Sequence, residues 1–523
     1  MVFWLFAMLA YRHGYGSQFT DDWVAGLVVF HKQGWAGFKD SFGFTSLYYG
    51  HNLVFYGFYD LFGSNKLAWW LLFTGLHAAN ASFASLFFKG VFKKMGIDYY
   101  GLSAIACGAL FLSSPFQTEN VVWGATIHYA FGMLYLWLGL YIYRQYDKGR
   151  SMLWLLGYYL LFAWALVTIE VALVFPAVAL VVFCCLWHPL SWGNTIKQMV
   201  RIALPCAFII VAYFVSTYLL KGHWIGHYGE SHLDFSLVET MGRYWQYFAK
   251  LLLYVHKFSF PIKDKVYSLL LQPYIAGALW IGFIGMLVWL YRRRKTIATA
   301  LMAWMLICFL LLLPVLNMYF NYLNDGENDR LSYFASPFML SLPVLVLGAV
   351  YIRWVMVYSL LAIVANLYFL DPQVLKWQYS ANIQAATYHH PIFDKPGRKF
   401  MLNLPNYTQG VYVYRDFSRW TDWRELEGLP YHTQVVYIAS AQVNSPLDSV
   451  IVVPIDSQTV RVQLSGWGRW FWRESLGLVH FEDKEISIVP DDSNLAYTLT
   501  IKHPQPGDEL VYYASGTWHS KPL

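Results

Sequence analysis

Apolar runs recur along the first 370 residues of the chain, and short polar segments separate them. An apolar run of about 18 residues or more is the length that crosses a membrane as an α-helix. The repetition of such runs predicts a polytopic α-helical membrane protein rather than a globular enzyme with several buried helices. The eleven predicted spans are 1–13, 66–88, 101–114, 122–143, 152–168, 171–187, 202–220, 270–291, 297–316, 333–350 and 354–370.

The pattern changes after residue 370. An amphipathic helix is predicted near 373–388, and the later segments alternate polar and apolar residues or are rich in β-branched residues. We therefore predict a transmembrane domain over 1–370 and a β-rich, antiparallel sandwich-like domain over 371–523, which follows a juxtamembrane helix. The predicted strands are 411–414, 434–438, 450–453, 460–464, 485–489 and 496–501.

Basic residues in the connecting segments predict the orientation. They lie beside alternate spans, whereas the short loops of the opposite side hold almost no Lys or Arg. Cytoplasmic loops carry the excess of basic residues, so the N-terminus is predicted to be cytoplasmic and 371–523 to lie outside. Together with an outer domain that contains no cysteine, this favours a bacterial inner membrane protein with a periplasmic C-terminal domain.

The composition narrows the function classes. The chain is 57% hydrophobic and 13% charged, and its net charge of +6 is spread over short clusters between apolar runs. This distribution excludes the basic face that nucleic acids need, so we expect no nucleic-acid partner. The five cysteines lie in apolar runs, which predicts buried thiols rather than disulfides or a cysteine metal site. P-loop, GxSxG and HExxH motifs are absent, and ATP-driven transport is therefore not supported.

Acidic residues at the ends of predicted spans are the first candidates for chemistry. Asp21 and Asp22 are adjacent just beyond the first span, and such a pair can raise the pKa of one carboxyl group, which suits a general base. A solvated loop or a helix N-cap is the alternative. Glu119 and Glu170 lie at outer ends of spans, where ionisable residues are functional candidates. Each could also cap a helix or meet water at the interface.

Arginines on the same predicted side are candidates for phosphate binding. Arg330 is the one basic residue of the loop 317–332, and a guanidinium group can bind phosphate through two hydrogen bonds. The alternative is an internal ion pair with Asp329 or Glu327. Residues 237–260 are predicted to form an amphipathic interfacial helix, whose Arg243, Lys250 and Lys257 are available for lipid phosphates.

Histidines occur both in an outer loop and inside a span. For His227, in the glycine-containing loop 221–269, contact with substrate or acceptor is favoured over a plain loop, and metal binding comes third. His77 and Asn80 are one helical turn apart within the second span. Hydrogen bonds between helices are their expected role.

Seven short motifs occur in an order that resembles the GT-C superfamily of membrane glycosyltransferases. They are Asp21-Asp22, Tyr48-Tyr49 with LFGSN at 61–65, LHAANA at 76–81, Ser114-Pro115 with Glu119, IEVALVFP at 169–176, GRYWQYF at 242–248 and DRLSY at 329–333. The branch that they resemble contains the protein O-mannosyltransferases and the tetratricopeptide-containing transmembrane O-mannosyltransferases. The chain has Ser114-Pro115 where members usually have His-Pro, and a β-rich domain in place of the repeats.

The resemblance implies a sugar donor linked to polyprenyl phosphate, an acceptor hydroxyl on an extracytoplasmic protein or envelope glycan, and inversion of the anomeric centre. It also implies that Asp21 is the base, and that Asp22 orients it or contacts the acceptor. Neither a cofactor nor a metal is required by this scheme, although a divalent metal is left open. The residues expected to bind substrate are Glu119, Glu170, Arg330, Tyr333, Arg243 and His227.

Two other functions stay open. A transporter of lipid-linked sugars predicts charges buried in mid-span and inverted repeats, whereas the acids here cluster at one predicted membrane face. A non-catalytic scaffold would bind an envelope partner through the outer domain. Five tryptophans of that domain could stack on such a partner or form the core: Trp420, Trp423, Trp467, Trp470 and Trp472. Alanine at Asp21 separates these functions, because only the enzyme predicts loss of product with normal folding.

Overall fold

The chain folds into two compact units. The computed structural model describes residues 1–15, 23–38, 49–188, 191–224, 236–316, 320, 322, 328–348, 351–414, 417–429, 433–443, 445, 448–465, 469–472 and 475–523. Unit 1 comprises Met1–Tyr15 with Phe42–Val374, and unit 2 comprises Gly16–Ser41 with Leu375–Leu523. A segment that follows the first predicted span therefore groups with the C-terminal unit.

The helices are numbered along the chain. They are α1 Val2–Ala10, α2 Trp23–Gln33, α3 Tyr49–Phe62, α4 Lys66–Lys94, α5 Tyr100–Ser113, α6 Thr118–Val122, α7 Ile127–Asp147, α8 Met152–Leu166, α9 Phe175–Val181, α10 Trp192–Gln198, α11 Leu204–Lys221, α12 Leu237–Leu253, α13 Phe260–Leu270, α14 Pro273–Arg293, α15 Lys295–Leu312, α16 Ser336–Gly348, α17 Ile352–Tyr388 and α18 Phe417–Leu426. Two π-helical segments, Val182–Leu186 and Met199–Ala203, continue α9 and join α10 to α11.

Each predicted span coincides with helix. Among the described residues, six helical segments are long and apolar enough to cross a membrane: Lys66–Lys94, Gly124–Asp147, Trp192–Lys221, Pro273–Arg293, Lys295–Leu312 and Ile352–Phe393. Four further apolar helices are shorter, namely Tyr100–Ser113, Met152–Leu166, Glu170–Leu186 and Ser336–Gly348. The structure is thus that of a helical membrane protein with a β-rich C-terminal region, and the count of eleven spans stays a prediction.

Two helix boundaries differ from the prediction. The juxtamembrane helix expected near 373–388 is not separate, because α17 continues from the last span through Pro372. The helix expected over 237–260 ends at Leu253, since Tyr254 takes a left-handed φ of 53° that no α-helix can continue. Its start is fixed by Ser236, whose Oγ accepts a hydrogen bond from the backbone of Glu239 at 3.3 Å.

The C-terminal ends of α4 and α7 meet the residues that follow the π-helical segment after α9. The Lys94 ammonium group donates to the backbone carbonyl of Trp187, and the Arg144 guanidinium group lies 3.7 Å from the centre of the Trp187 ring. His188 Nε2 lies 2.5 Å from Asp147 Oδ2. The C-terminal ends of α4 and α7 and the residues after Leu186 therefore lie together at one end of the helix bundle.

The core of unit 1 is aromatic at its centre. Phe88 of α4, Trp137 of α7, Trp304 of α15 and Phe338 of α16 are almost fully buried, and their rings contact one another at centroid distances of 5.3 to 6.3 Å. The Trp304 indole N–H donates to the Phe338 carbonyl oxygen at 3.0 Å. Large side chains thus join four helices without leaving a buried indole donor unpaired at Trp304.

The described residues of unit 2 form three sheets. Its strands are β1 Gly397–Met401, β2 Leu404–Thr408, β3 Val411–Tyr412, β4 Thr433–Tyr437, β5 Ser440–Gln442, β6 Ser449–Pro454, β7 Thr459–Ser465, β8 Trp470–Trp472, β9 Ser475–Leu476, β10 Phe481–Glu482, β11 Ile486–Pro490, β12 Ala496–Ile501, β13 Glu509–Ala514 and β14 Thr517–Pro522. The sheet orders are β14-β13-β1-β4, β10-β11-β12-β7-β6 and β3-β2-β5-β8-β9.

The predicted antiparallel arrangement holds for only one of these sheets. In the sheet that contains β7 and β12, all described pairs are antiparallel. The prediction was wrong for the other two, because β1 pairs in parallel with β4 and β13, and β2 pairs in parallel with β5. A helix explains one parallel pair, since α18 lies between β1 and β4 in sequence and supplies a crossover connection.

Helix α2 packs within unit 2 against α18. Its Leu27 is fully buried, and Lys32 forms an ion pair with Glu425 of α18. Trp420 and Trp423 of α18 are buried as well, at 0% and 5% exposure.

Trp470 of β8 is also buried, with 1% exposure. Together with Trp420 and Trp423 it belongs to the core, which was one of the two roles expected for the five tryptophans. Trp467 and the side chain of Trp472 lie outside the described residues.

Gly242 allows α12 to approach the segment that follows α13. A Cβ atom at this position would lie 2.8 Å from the Leu270 carbonyl oxygen and 3.1 Å from the Leu271 Cα atom. We expect Gly242→Ala to lower the stability by about 1–3 kcal/mol, because backbone atoms would have to move. Gly277→Ala in α14 is the matched control, since its Cβ would meet open space. Thermal unfolding of the purified protein measures both, and equal midpoints for the two variants would contradict the prediction.

Candidate functional site

Two neighbouring residues of opposite charge, Asp329 and Arg330, open a 3₁₀ turn between α15 and α16. The turn follows Asn328, which takes a left-handed φ of 64° that asparagine tolerates better than most residues. Successive side chains of a 3₁₀ turn point in different directions. Arg330 accordingly contacts Glu119 of α6, and Asp329 contacts Lys250 of α12. We call these four residues the four-charge cluster.

Glu119 binds both the backbone and the side chain of Arg330. Its Oε2 accepts a hydrogen bond from the Arg330 backbone N–H at 2.7 Å, and its Oε1 accepts one from the guanidinium Nη1. Glu119 is fully buried, whereas the Arg330 side chain keeps 21% exposure. The guanidinium carbon lies 5.4 Å from the centre of the Trp123 ring, which is close enough for a cation–π interaction. Arg330 is therefore held through its backbone and its guanidinium group by Glu119, with Trp123 beside the guanidinium group. Its side chain remains partly exposed.

The second ion pair is more deeply buried. Lys250 Nζ lies 2.6 Å from Asp329 Oδ1, and the two side chains are only 1% and 0% exposed. Among the described residues, neither Asp329 oxygen has a hydrogen bond of regular geometry, so the attraction here is mainly between charges. The ammonium group also lies 5.7 Å from the centre of the Phe116 ring and 5.8 Å from that of Phe320. Breaking such a pair leaves an uncompensated buried charge, which costs several kcal/mol.

The segment that carries Glu119 is rich in buried polar side chains. It begins at Ser114-Pro115, where Ser114 Oγ accepts the Phe116 N–H at 3.4 Å and proline occupies the first position of the turn. Further along it, Gln117, Thr118 and Asn120 are at most 1% exposed, and their side-chain polar atoms have no hydrogen-bond partner in the part of the chain that the structure describes. We call these three residues the orphan group.

A hydrogen-bond network lies next to this segment, between the helices. The Tyr333 hydroxyl oxygen lies 3.1 Å from His77 Nδ1 and accepts a hydrogen bond from Asn80 Nδ2 at 3.2 Å. Asn80 Nδ2 also donates to the Ala130 carbonyl oxygen of α7 at 2.9 Å. The interhelical role predicted for His77 and Asn80 is confirmed. Tyr333, predicted to bind substrate, is fully buried in this network.

The remaining described candidates lie outside the four-charge cluster. Arg243 donates to the Leu316 carbonyl oxygen at 2.9 Å and forms an ion pair of 2.8 Å with Glu239. Glu170 opens the 3₁₀ turn that precedes α9 and is half-buried, within electrostatic range of Tyr213. The structure therefore brings Glu119 and Arg330 into direct contact, whereas Glu170 lies in the turn before α9.

Three predicted site residues, Asp21, Asp22 and His227, lie outside the described residues. Helix α2 begins at Trp23, directly after the paired acids in sequence. Both interpretations of Asp21 and Asp22, a base and a helix N-cap, therefore stay open. In the described ranges, no group of three His, Cys, Asp or Glu residues is placed to hold a metal ion.

Sequence reasoning missed several members of this site. Lys250 was expected to be available for lipid phosphates, like Arg243 seven residues before it on the same face of α12, and its buried pairing with Asp329 was not predicted. Asp329 was considered only as a partner of Arg330, whereas it pairs with Lys250. The orphan group has no sequence signal other than its position beside Glu119, because burial of a polar side chain depends on the packing around it.

Comparisons of the chain with protein-family profiles, with curated proteins and with solved structures find no match. The likeness to GT-C glycosyltransferases therefore rests on the motifs in the sequence.

Burial makes Glu119 a weaker acid than an exposed glutamate. It raises the pKa of Glu119 from 4.5 to about 7, although the nearby charge of Arg330 and the hydrogen bonds from its backbone and side chain act in the opposite direction. The Asp329 carboxylate adds to the increase in the pKa of Glu119.

This pKa predicts a pH-dependent stability. A carboxyl group whose pKa is higher in the folded than in the unfolded state binds more protons when folded. Its contribution to stability is therefore greatest below pH 4.5 and is lost as the pH rises to about 7. Glu119→Gln removes this contribution, so the stability of wild type relative to the variant should fall across that window. Thermal unfolding at a series of pH values measures the difference, and parallel curves would contradict the prediction.

Proposed function

We propose that the chain is an inverting glycosyltransferase that moves a sugar from a polyprenyl-phosphate-linked donor to a hydroxyl group of an extracytoplasmic protein or envelope glycan. The observation that carries the proposal is the Arg330–Glu119 pair at one end of the helix bundle. A guanidinium group that is held in place and partly accessible suits a phosphate, because it offers several donors in a fixed plane.

The energetics of the four-charge cluster support a functional role. A buried ion pair is seldom worth more to stability than apolar residues of similar volume, because the charges must lose their hydration. Ionisable residues within a helical membrane protein are therefore functional candidates by default. Asp329 and Arg330 are neighbours in one turn, and each belongs to one of the two ion pairs. A ligand that attracts Arg330 therefore also pulls on the turn whose Asp329 binds Lys250.

An apolar groove beside α12 supports a lipid substrate. Trp245, Phe248 and Leu252 of α12 line it together with residues of α14, α15 and α16, and it has a volume of about 350 Å³. Arg243 and Lys250 lie on the opposite face of the same helix, given 3.6 residues per turn. A long isoprenoid chain is flexible enough to pass around a helix about 10 Å wide, with its phosphate on the charged face and its tail in the groove.

The proposed reaction needs one base. A carboxylate removes the proton of the acceptor hydroxyl group as that oxygen attacks the anomeric carbon of the donor. The bond from this carbon to the phosphate oxygen breaks, and polyprenyl phosphate leaves with the bonding electron pair. Since phosphate is a stable anion, no general acid is required. Attack from the face opposite the leaving group inverts the anomeric centre.

Asp21 is proposed as the base because it matches the first acidic position of the family that the motifs resemble, and Asp22 as its neighbour that orients it. Arg330 would hold the donor phosphate with help from α12, whose Arg243 lies near the lipid headgroups, and Glu119 and Glu170 would line the site. The same proposal includes eleven spans, a bacterial inner membrane, a cytoplasmic N-terminus and a periplasmic unit 2 that meets the acceptor or an envelope protein.

The decisive experiment uses cells that carry wild-type, Asp21→Asn or Asp22→Asn protein. Asparagine keeps the shape of aspartate but cannot take up the proton, so we expect a lipid-linked monosaccharide to accumulate and an envelope glycan or glycoprotein to lose one sugar. Mass spectrometry of extracted polyprenyl-phosphate sugars and of glycans measures both changes. Asp60→Asn is the matched control, because Asp60 is an exposed aspartate of α3.

The result that would overturn the proposal is equally specific. If both variants match wild type while cells without the protein differ, the paired acids are not catalytic. A scaffold or a transporter of lipid-linked sugars would then explain the requirement for the protein.

Arg330→Lys tests the phosphate site. Lysine keeps the positive charge but lacks the planar group that bonds Glu119 and a phosphate together. We expect kcat/KM for the lipid-linked donor to fall by roughly a hundredfold, as when an enzyme loses one well-placed donor to a reacting anion. Arg12→Lys is the control, since the Arg12–Asp371 pair is largely exposed. Equal activity of the two variants would exclude Arg330 from donor binding.

A further inference from the structure

We propose that the orphan group, Gln117, Thr118 and Asn120, recognises the hydroxyl groups of the transferred sugar. This inference rests on the proposed function and adds a sugar subsite to it. The three residues flank Glu119 in one short segment, so they lie next to the partner of Arg330, which is proposed to hold the donor phosphate.

The orphan group leaves five side-chain atoms without partners. Gln117 contributes its Oε1 and Nε2, Thr118 its Oγ1, and Asn120 its Oδ1 and Nδ2. All three residues are 0% to 1% exposed, and no described residue donates to or accepts from these atoms. Buried polar side chains in folded proteins nearly always have a hydrogen-bond partner, so a concentration of unpaired groups at one place needs an explanation.

Other polar side chains of the same segment do find partners in the fold. Thr126 Oγ1 donates to the Glu119 carbonyl oxygen at 2.9 Å and to the Trp123 carbonyl oxygen at 2.8 Å. Ser114 Oγ accepts the Phe116 N–H at the start of the segment. Polar residues that serve local structure are therefore satisfied within this segment, and the orphan group is not needed for that purpose.

The chemistry of the unpaired atoms fits a neutral polyol. A primary amide offers two N–H donors and a carbonyl acceptor, and a threonine hydroxyl can donate and accept. Sugar hydroxyls likewise both donate and accept, so the two sets are complementary without any net charge. The donor phosphate, in contrast, needs a cation. Arg330 supplies it, because this arginine contacts Glu119, which lies between Thr118 and Asn120 in the sequence. A sugar phosphate carries both features on adjacent atoms.

The inference also requires a movement. The five atoms are buried, so the donor reaches them only after a movement of the segments around α6, one of which is the turn that Arg330 attaches to Glu119. A phosphate that draws Arg330 away would open this path. The raised pKa of Glu119 favours the release of Arg330, because a protonated glutamate holds the guanidinium group less strongly.

Binding of two kinds of lipid separates the sugar subsite from the phosphate site. The probes are undecaprenyl phosphate and a panel of its mannose, glucose, galactose and N-acetylglucosamine esters, added to the purified full-length protein. Ligands that bind the folded state raise the unfolding temperature in proportion to their affinity. For wild type, we expect a shift with undecaprenyl phosphate and a larger shift with at least one sugar-loaded lipid.

The test variants replace the polar atoms by apolar atoms of similar shape, as Gln117→Met, Thr118→Val and Asn120→Leu. Removal of an unpaired buried group does not cost folding stability, so these variants should fold at least as well as wild type without ligand. Each should lose the additional shift due to the sugar, with roughly tenfold weaker binding per variant. The shift with undecaprenyl phosphate alone should persist. Ser103→Ala is the matched control, since Ser103 is a buried unpaired hydroxyl elsewhere, in α5.

The outcomes distinguish the two proposals. If the variants keep the additional shift, or if no sugar-loaded lipid exceeds undecaprenyl phosphate on wild type, the orphan group does not recognise a sugar. If undecaprenyl phosphate and the sugar-loaded lipids all leave wild type unchanged, the proposed function itself fails.

Discussion

The four-charge cluster has lost most of its hydration, and the packing of α6, α12 and the turn before α16 depends on compensating that loss. Glu119, Lys250 and Asp329 are buried among apolar helices and Arg330 is partly exposed beside them, and a single unpaired charge among the three buried residues would cost several kcal/mol. Each charge is tolerated only because its partner lies within hydrogen-bond distance. The pairs join α6, α12 and the turn before α16, so these elements must be in place together.

The surroundings of the cluster follow from the same requirement. Aromatic rings of Phe116, Phe320 and Trp123 lie 5.4 to 5.8 Å from the cationic groups, and they exclude water while they interact favourably with positive charge. Low water content strengthens each ion pair and also raises the pKa of Glu119. A site of this kind is suited to exchange one anion for another, because every change of partner has a large electrostatic effect.

Helix α12 carries a residue of the four-charge cluster on one face and lines an apolar groove with the other. Its charged face carries Arg243 and Lys250, and its opposite face lines the apolar groove through Trp245 and Phe248. Amphipathic helices of this kind lie at the boundary between polar and apolar media. Unit 2 contributes in a different way, because it contains α2, which directly follows Asp21 and Asp22 in sequence.

The sequence by itself determined the helical membrane character, the position of each apolar helix and the β-rich C-terminal region. Helix length and apolar periodicity are local properties, because a segment in a membrane must satisfy its own backbone hydrogen bonds. The pairing of His77 and Asn80 with other helices was also predictable, since polar groups within a span need partners there.

Tertiary structure alone decided which residues meet. Glu119 and Arg330 are 211 positions apart, and nothing in the pattern around Asp329 indicates that it pairs with Lys250 rather than with its neighbour. The parallel pairing of β1 with β4 and β13 was equally hidden. Strand order and buried charge pairing depend on contacts between distant segments, and a local pattern specifies which face of an element is buried but not which partner covers it.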